Sequence, residues 1–432
     1  MNKILLITYY WPPCGGVSVQ RWLKFSKYLL QKGCISTIVT THDGDYPYVD
    51  ESLVDTIPSE IKVLSTYTPT FKKLFKLLVG KNEKLPFGSL NTYKSDSFFK
   101  KVLYFLRSQL VYPDARVVWN KYAFKTASKE LKSGDYTAVI TTGPPHSTHL
   151  VGLKLKNKYN IKWIADFRDP WTQIYYYQES GRRNPFINYL DKNLERKVLV
   201  KADATVTISH GISDCFEERV NYTIHNGFDH DDYLNKTYTK NEKFRIKFVG
   251  ALTDSRKDEV ISTLAWISDI AQKSNSKDIE FTLIGSYIDY SNDFEQLFPF
   301  ISFKNTGFIN HSSVIQECVD SEILLLVINN TPNNLGILTY KIFEYIGSRT
   351  YILGVGPEGC DANVILKEIT AGELFDYGAK KSFLNSFNEL YKKWQNGECL
   401  KNKNVIDKYS VLKLSEKYIE LFNSDSKNKV GT

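Results

Sequence analysis

Apolar residues along the chain gather in short continuous runs, and between these runs apolar positions recur at helical spacing. The first pattern marks strands buried on both faces, and the second marks helices packed against them. Residues 3 to 8 predict a strand, and Trp22, Phe25 and Leu29 predict the apolar face of a helix after it. Gly15 and Gly16 lie in the connecting loop, where a missing Cβ lets the backbone approach a ligand closely. Strand, glycine turn and helix make half of a Rossmann unit, although the loop lacks the G-x-G-x-x-G spacing of a dinucleotide site. Cys34 to Thr41 predicts the next strand, after which the pattern breaks down through about residue 68. Further strands are predicted over residues 136–142, 161–165 and 204–209.

From Phe244 the opening pattern recurs: a strand ending at Gly250, a polar loop with Arg256 and Lys257, then a helix. Strands over residues 279–285 and 323–328 follow, and 351–356 is expected to be the last. The echo predicts an α/β protein of two similar Rossmann-like domains facing each other across a cleft. The expected limits are 1–235 and 243–403, joined by a linker near 230–243, with a final helix over 404–424 that sets Leu414, Tyr418, Leu421 and Phe422 on one face.

With 42% hydrophobic and 24% charged residues, the 432-residue chain has the composition of a globular protein long enough for two cores. Its formal charge of +8 points to an anionic partner: nucleic acid, a phosphate-bearing substrate or a lipid surface. No DNA- or RNA-binding motif supports the first. The six cysteines include no C-x-x-C pair, so neither a zinc site nor a disulfide framework is indicated and a reducing cytoplasm is the expected setting. No uncharged apolar stretch reaches the ~20 residues of a spanning helix. Two basic amphipathic segments, residues 71–84 and 98–110, combine Phe and Leu with Lys or Arg. They fit either a membrane interface or ordinary surface helices covering a core.

Candidate chemistry clusters at predicted strand ends. Gly143 to His149 follows one strand, and Asp166-Phe167-Arg168-Asp169-Pro170-Trp171 ends the next, at the edge where open α/β sheets bind ligands. His146, His149 and Asp169 are candidates for proton transfer; Asp166, Arg168 and, from the first helix, Arg21 are candidates for the acceptor side or the cleft wall. The structural alternatives are an ion pair of Arg168 with Asp169 or Asp166 that merely holds the loop, and a solvated Arg21. The stretch from Asn329 to Glu344 reads as strand, polar loop and helix start, with Thr339 as its N-cap. A helix N-terminus favours an anion, Lys341 adds a full charge, and the Glu344 carboxylate can accept hydrogen bonds from vicinal hydroxyls such as those of a ribose. A nucleotide diphosphate would satisfy all three groups; the alternative is that Thr339 only caps and Glu344 pairs with a neighbouring base.

The run GILTYKIFEYIGSRTYILGVGPEGCDANVI, with WPPCGG near the start and ADFRDPWT in the middle, resembles the bacterial family 4 type of glycosyltransferase with the GT-B fold. The three motifs span nearly the whole chain in the family's order. Many such enzymes carry a second glutamate eight positions before the equivalent of Glu344; here that position is Gly336, so the chain resembles the branch with Thr-x-Lys in the donor loop. The resemblance implies a retaining, metal-independent transfer without a cofactor, from a UDP- or GDP-linked sugar to a saccharide or polyprenyl-linked acceptor in surface polysaccharide synthesis. With the cysteine pattern and the basic segments, the expected location is the cytoplasm or the inner face of the plasma membrane. Gly16, Gly250, Arg256, Lys257 and Gly307 join Thr339, Lys341 and Glu344 on the implied donor side, and the last helix crosses back to the N-terminal domain. Asp229-His230-Asp231 is the nearest approach to a metal-binding D-x-D motif, and it falls beside the expected linker. The rival readings are a non-catalytic anion-binding or membrane scaffold on a degenerate frame, favoured by Gly336, and a nucleotide-sugar epimerase.

Overall fold

A computed structural model describes residues 2–47, 49–69, 112–174, 184–218, 220–274, 277–285, 291–402 and 407–424. The basic segments at 71–84 and 98–110 lie outside the described residues. Among the described residues, no helix is long and apolar enough to cross a membrane.

The chain divides into two compact units, Met1–His225 with Leu414–Thr432, and Asn226–Lys413. Unit 1 is built on a sheet of β1 (Asn2–Ile7), β2 (Cys34–Thr41), β3 (Lys62–Thr66), β4 (Ala138–Gly143), β5 (Trp163–Phe167), β6 (Ala204–Thr207) and β7 (Tyr222–Thr223). Its order is β3-β2-β1-β4-β5-β6-β7, and every pairing is parallel. Unit 2 has β8 (Phe244–Val249), β9 (Ile279–Ile284), β10 (Ser302–Gly307), β11 (Ile323–Val327), β12 (Tyr351–Val355) and β13 (Gly372–Phe375), in the order β10-β9-β8-β11-β12-β13 and again all parallel.

Helices cover both faces, so the central strands are buried on both sides and read as unbroken apolar runs. Ile4 to Ile7 and Ile323 to Val327 are buried throughout. Each sheet order reverses once, between β1 and β4 and between β8 and β11. At such a reversal adjacent loops leave in opposite directions and open a crevice at the carboxyl ends of the strands.

Two expectations are corrected. The strand at 351–356 is not the last, because β13 pairs with it at the edge. The region before residue 68 is not patternless, since it holds β3 and a short 3-10 turn, Glu51–Thr56. The closing helix, Val411–Asn423, buries Leu414, Tyr418, Leu421 and Phe422, as their spacing predicts.

Candidate functional site

In unit 2, three glycines bare the backbone at the carboxyl ends of β8, β9 and β10. Gly250, Gly285 and Gly307 all have positive φ, and they follow one another through Gly250 N to Ile284 O (2.8 Å) and Gly285 N to Gly307 O (2.9 Å). A Cβ on Gly285 would lie 2.5 Å from the Gly250 carbonyl oxygen, so no other residue fits that conformation or that approach. Across the sheet reversal, the Arg256 guanidinium donates to Asn329 Oδ1, linking the first turn of the Asp254–Lys273 helix to the end of β11. Lys257 is the next residue of that turn and is half-buried.

Thr339 occupies the N-cap of the Tyr340–Gly347 helix, yet its side chain does not cap it; Oγ1 is buried and makes no hydrogen bond among the described residues. Lys341 turns back along the helix, and its Nζ lies 2.6 Å from Glu344 Oε2, while His311 Nε2 lies 3.1 Å from Oε1. Burial of Glu344 opposes ionisation, but the Lys341 charge and the His311 contact outweigh it and bring the carboxyl down to about 2. Glu344 is therefore a preformed carboxylate held by Lys341 and His311. The sequence reading missed His311, Asn329 and Gly285. His311 has a signal only in three dimensions, because 33 residues separate it from its partner.

In unit 1, Asp166 is fully buried and accepts hydrogen bonds from Arg21 Nη2 (2.9 Å), Trp22 Nε1 (2.8 Å), Thr142 Oγ1 (2.9 Å) and Tyr418 (2.8 Å). Burial raises its pKa, and the Arg21 charge with these donors more than reverses the effect. Arg21 also donates to the carbonyls of Ile224 and His225. Arg21 is thus neither a solvated charge nor exposed to ligand.

Arg168 takes a third course beside the two anticipated ion pairs. It donates to the carbonyls of Ser18 (2.8 Å), Gly143 (3.2 Å) and Pro144 (2.6 Å), tying the loop after β5 to the end of β4 and to the first turn of the Val17–Gln31 helix. Gly16, at φ 99, starts that helix. Asp169 is half-buried, burial raises its pKa against the pull of Arg168, and among the described residues its carboxylate accepts no hydrogen bond.

His146 and His149 stack at 6.0 Å beneath the same loops. Burial drives His146 well below the ordinary histidine range and His149 to about 3, so both imidazoles are neutral at physiological pH. Trp163 Nε1 donates to Thr141 Oγ1, and that hydroxyl faces His149 Nδ1 at 2.9 Å, which reads as a donor-to-acceptor chain leaving the ring proton on Nε2. Among the described residues, His149 Nε2 and both nitrogens of His146 are buried without a well-formed hydrogen bond, and the Pro170 backbone only slightly offsets the effect of burial on His146. Gly143 makes room for the pair, since a Cβ there would lie 2.7 Å from His149 Nε2 and 2.9 Å from His146 Nδ1. Trp171 stacks on His146 at 5.3 Å and donates to Asp191 Oδ1, while Glu195 accepts from Thr172 N and Oγ1. Asp191 and Glu195, on the Pro185–Lys201 helix, were also missed; as an i, i+4 pair on a charged helix they carry no signal of burial in sequence.

No family model matches the chain, and no curated protein sequence does. Solved structures do match along nearly its full length. Sucrose-phosphate synthase from Thermosynechococcus elongatus superposes with a TM-score of 0.60 at 13% identity, covering 98% of each chain. The fold is GT-B. A glycosyltransferase from Rickettsia africae matches with a TM-score of 0.60 at 14% identity over 99% of both chains. TarM from S. aureus, in a complex with UDP, fondaparinux and alpha-GlcNAc-glycerol, matches with a TM-score of 0.59 at 12% identity, over 98% of this chain and 100% of that one. The family 4 assignment and the Thr-x-Lys branch rest on the motifs alone.

Proposed function

We propose that the chain is a glycosyltransferase that moves a sugar from a UDP- or GDP-linked donor to a saccharide or lipid-linked acceptor, with retention of configuration and without a metal. The observation that carries the reading is the arrangement in unit 2. A bare glycine ledge, an arginine bridging the sheet reversal and a buried, ionised Glu344 beside Lys341 stand together at the carboxyl edge of a parallel sheet. This is the chemistry a nucleoside diphosphate requires: Glu344 accepts from the ribose hydroxyls, and Lys341 with Arg256 or Lys257 and backbone N–H groups takes the charge of the leaving diphosphate. Lys341 then exchanges its bond to Glu344 for one to phosphate. Gly250 and Gly307 border the diphosphate and the base, and Thr339 Oγ1 supplies a hydroxyl that has no hydrogen-bond partner among the described residues.

In unit 1, Asp169 is the group suited to proton transfer, and His146 is suited, as a neutral imidazole, to hydrogen-bond a sugar hydroxyl. His149 backs His146, and Gly16 and Arg168 shape the loops around them. The contribution of Arg21 and Asp166 is indirect, through the frame they hold. The basic segments at 71–84 and 98–110 would place the enzyme on the anionic inner face of the plasma membrane in surface polysaccharide synthesis; binding to anionic vesicles that is insensitive to salt would count against this.

The test is release of nucleoside diphosphate from UDP- and GDP-sugars by the purified chain, with and without saccharide and polyprenyl-phosphate acceptors and with EDTA present. Acceptor-stimulated release that survives EDTA is expected. No release from any donor would favour the scaffold, and conversion of the sugar without release would favour epimerisation.

A further inference from the structure

Apart from the Glu344 group, unit 2 holds a cavity of about 320 Å³, lined in part by Phe228, Tyr233 and Tyr238 and by Lys236, Arg349 and Lys401. Among the described residues the one acid in its lining is Asp407, 3.2 Å from His230. Among the described residues no acid is within ion-pair distance of Lys236, Arg349 or Lys401. Lys236 donates to Ser312 Oγ. Lys401 spends its ammonium on neutral acceptors, the carbonyls of Val319 and Ser321 and the Thr350 hydroxyl, with its charge over the Tyr238 ring at 4.9 Å. Burial lowers it to about 8.

Arg349 follows the end of the Tyr340–Gly347 helix in the left-handed conformation, φ 59, its backbone pinned by Arg349 N to Ile346 O (3.1 Å) and Asn402 N to Arg349 O (2.8 Å). Glycine is the usual residue at this position because it bears no strain there. Here the chain keeps a long cation whose guanidinium is exposed and makes no hydrogen bond or ion pair among the described residues. The helix dipole favours a cation at this end, which accounts for one charge but not for three around a cavity with aromatic walls.

We infer that this cavity binds a small phosphorylated molecule, its phosphate held by Arg349 and Lys236 and its ring against Tyr233 and Tyr238. The volume is at the lower end of the roughly 300–1,000 Å³ of small-molecule pockets, so it suits a monophosphate of one ring and not a chain segment. The site also touches the apparatus of Glu344. Tyr233 donates to the Glu344 carbonyl at 2.7 Å, and its ring lies so close to Gly347 that a Cβ there would be 2.5 Å from it. Lys236 holds Ser312, the residue after the His311 that binds the Glu344 carboxylate. Occupancy therefore bears on the helix that carries Glu344, and any effect on nucleotide affinity must be reciprocal.

The experiment is isothermal titration of the full chain with inorganic phosphate, a hexose monophosphate and the unphosphorylated hexose. The two phosphate probes should bind saturably and the free hexose should not. Arg349→Gly and Lys236→Gln should each weaken binding at least tenfold, the loss of one charge-assisted hydrogen bond. Arg349→Gly relieves a left-handed backbone, so its melting temperature should equal or exceed that of the parent and loss of binding cannot be put down to unfolding. Lys341→Ala should still bind the hexose monophosphate saturably, because Lys341 is not among the residues of the cavity. The inference is overturned if neither phosphate probe saturates, if both cavity variants bind like the parent, or if Lys341→Ala abolishes binding and so places the phosphate at the nucleotide site.

Discussion

Replacing Lys341 by alanine removes the nearest partner of a carboxylate whose side chain is only 5% exposed. Glu344 is held at about 2 against an ordinary 4.5, a gap that corresponds to ~3 kcal/mol of folding free energy shared between Lys341 and His311. Lys341 has the larger part, reduced by screening because its own side chain is 27% exposed, so the variant should lose ~2 kcal/mol. The sign follows from the direction of the shift. A carboxyl lowered by folding contributes fully above its unfolded value and loses that contribution as the pH falls toward its folded one. The difference between parent and variant should therefore be complete at neutral pH and narrow as the pH is taken from about 4 toward 2.

Urea unfolding at several pH values, followed in the transition that belongs to unit 2, measures this difference. UDP and GDP titration of the same variant should show roughly tenfold to hundredfold weaker binding, the loss of one charge-assisted hydrogen bond. Stability and nucleotide affinity both unchanged would refute the reasoning. A stability loss with intact affinity would leave Lys341 as a structural partner of Glu344 alone.

Asp166→Ala should destabilise unit 1 by ~3–5 kcal/mol, because Arg21 would remain buried without its counter-charge; calorimetry checks it, and a loss below about 1 kcal/mol would contradict it. Gly143→Ala pushes a methyl into both imidazoles, so turnover should fall while nucleotide binding to unit 2 persists; a variant with full turnover would show that the stacking is not needed. Asp169→Asn or His146→Ala should lower turnover by ~100-fold with nucleotide affinity intact, and near-normal turnover in both would make the cluster structural.

The central strands were readable because burial on both faces leaves unbroken apolar runs such as Ile323 to Val327. Edge strands were not. In β3 the side chains of Lys62, Val63 and Ser65 are exposed, and β10 mixes Lys304, Asn305 and Thr306 with a single Phe, so neither carries a run or a clean alternation. Sequence placed Lys341 and Glu344 at a helix start and His146 and Asp169 at strand ends, but partners distant in sequence were invisible. Arg21 meets Asp166 across 145 residues and Tyr418 across 397, which turns two candidate ligand groups into the interior of a unit. Thr339 shows the opposite limit: sequence identified its place at the helix start but not that its hydroxyl would have no hydrogen-bond partner among the described residues.

The claim that unit 2 is a nucleotide-sugar site is tested most directly by thermal unfolding with UDP, GDP, dTDP, ADP and CMP, each against plain pyrophosphate. A ligand at a hundred times its dissociation constant stabilises the native state by about 2.7 kcal/mol, or roughly 5–11 °C for a unit of this size. UDP or GDP should lead the panel, with the shift confined to the transition of unit 2. A flat response, or a pyrophosphate shift equal to that of the best nucleotide, would contradict the account.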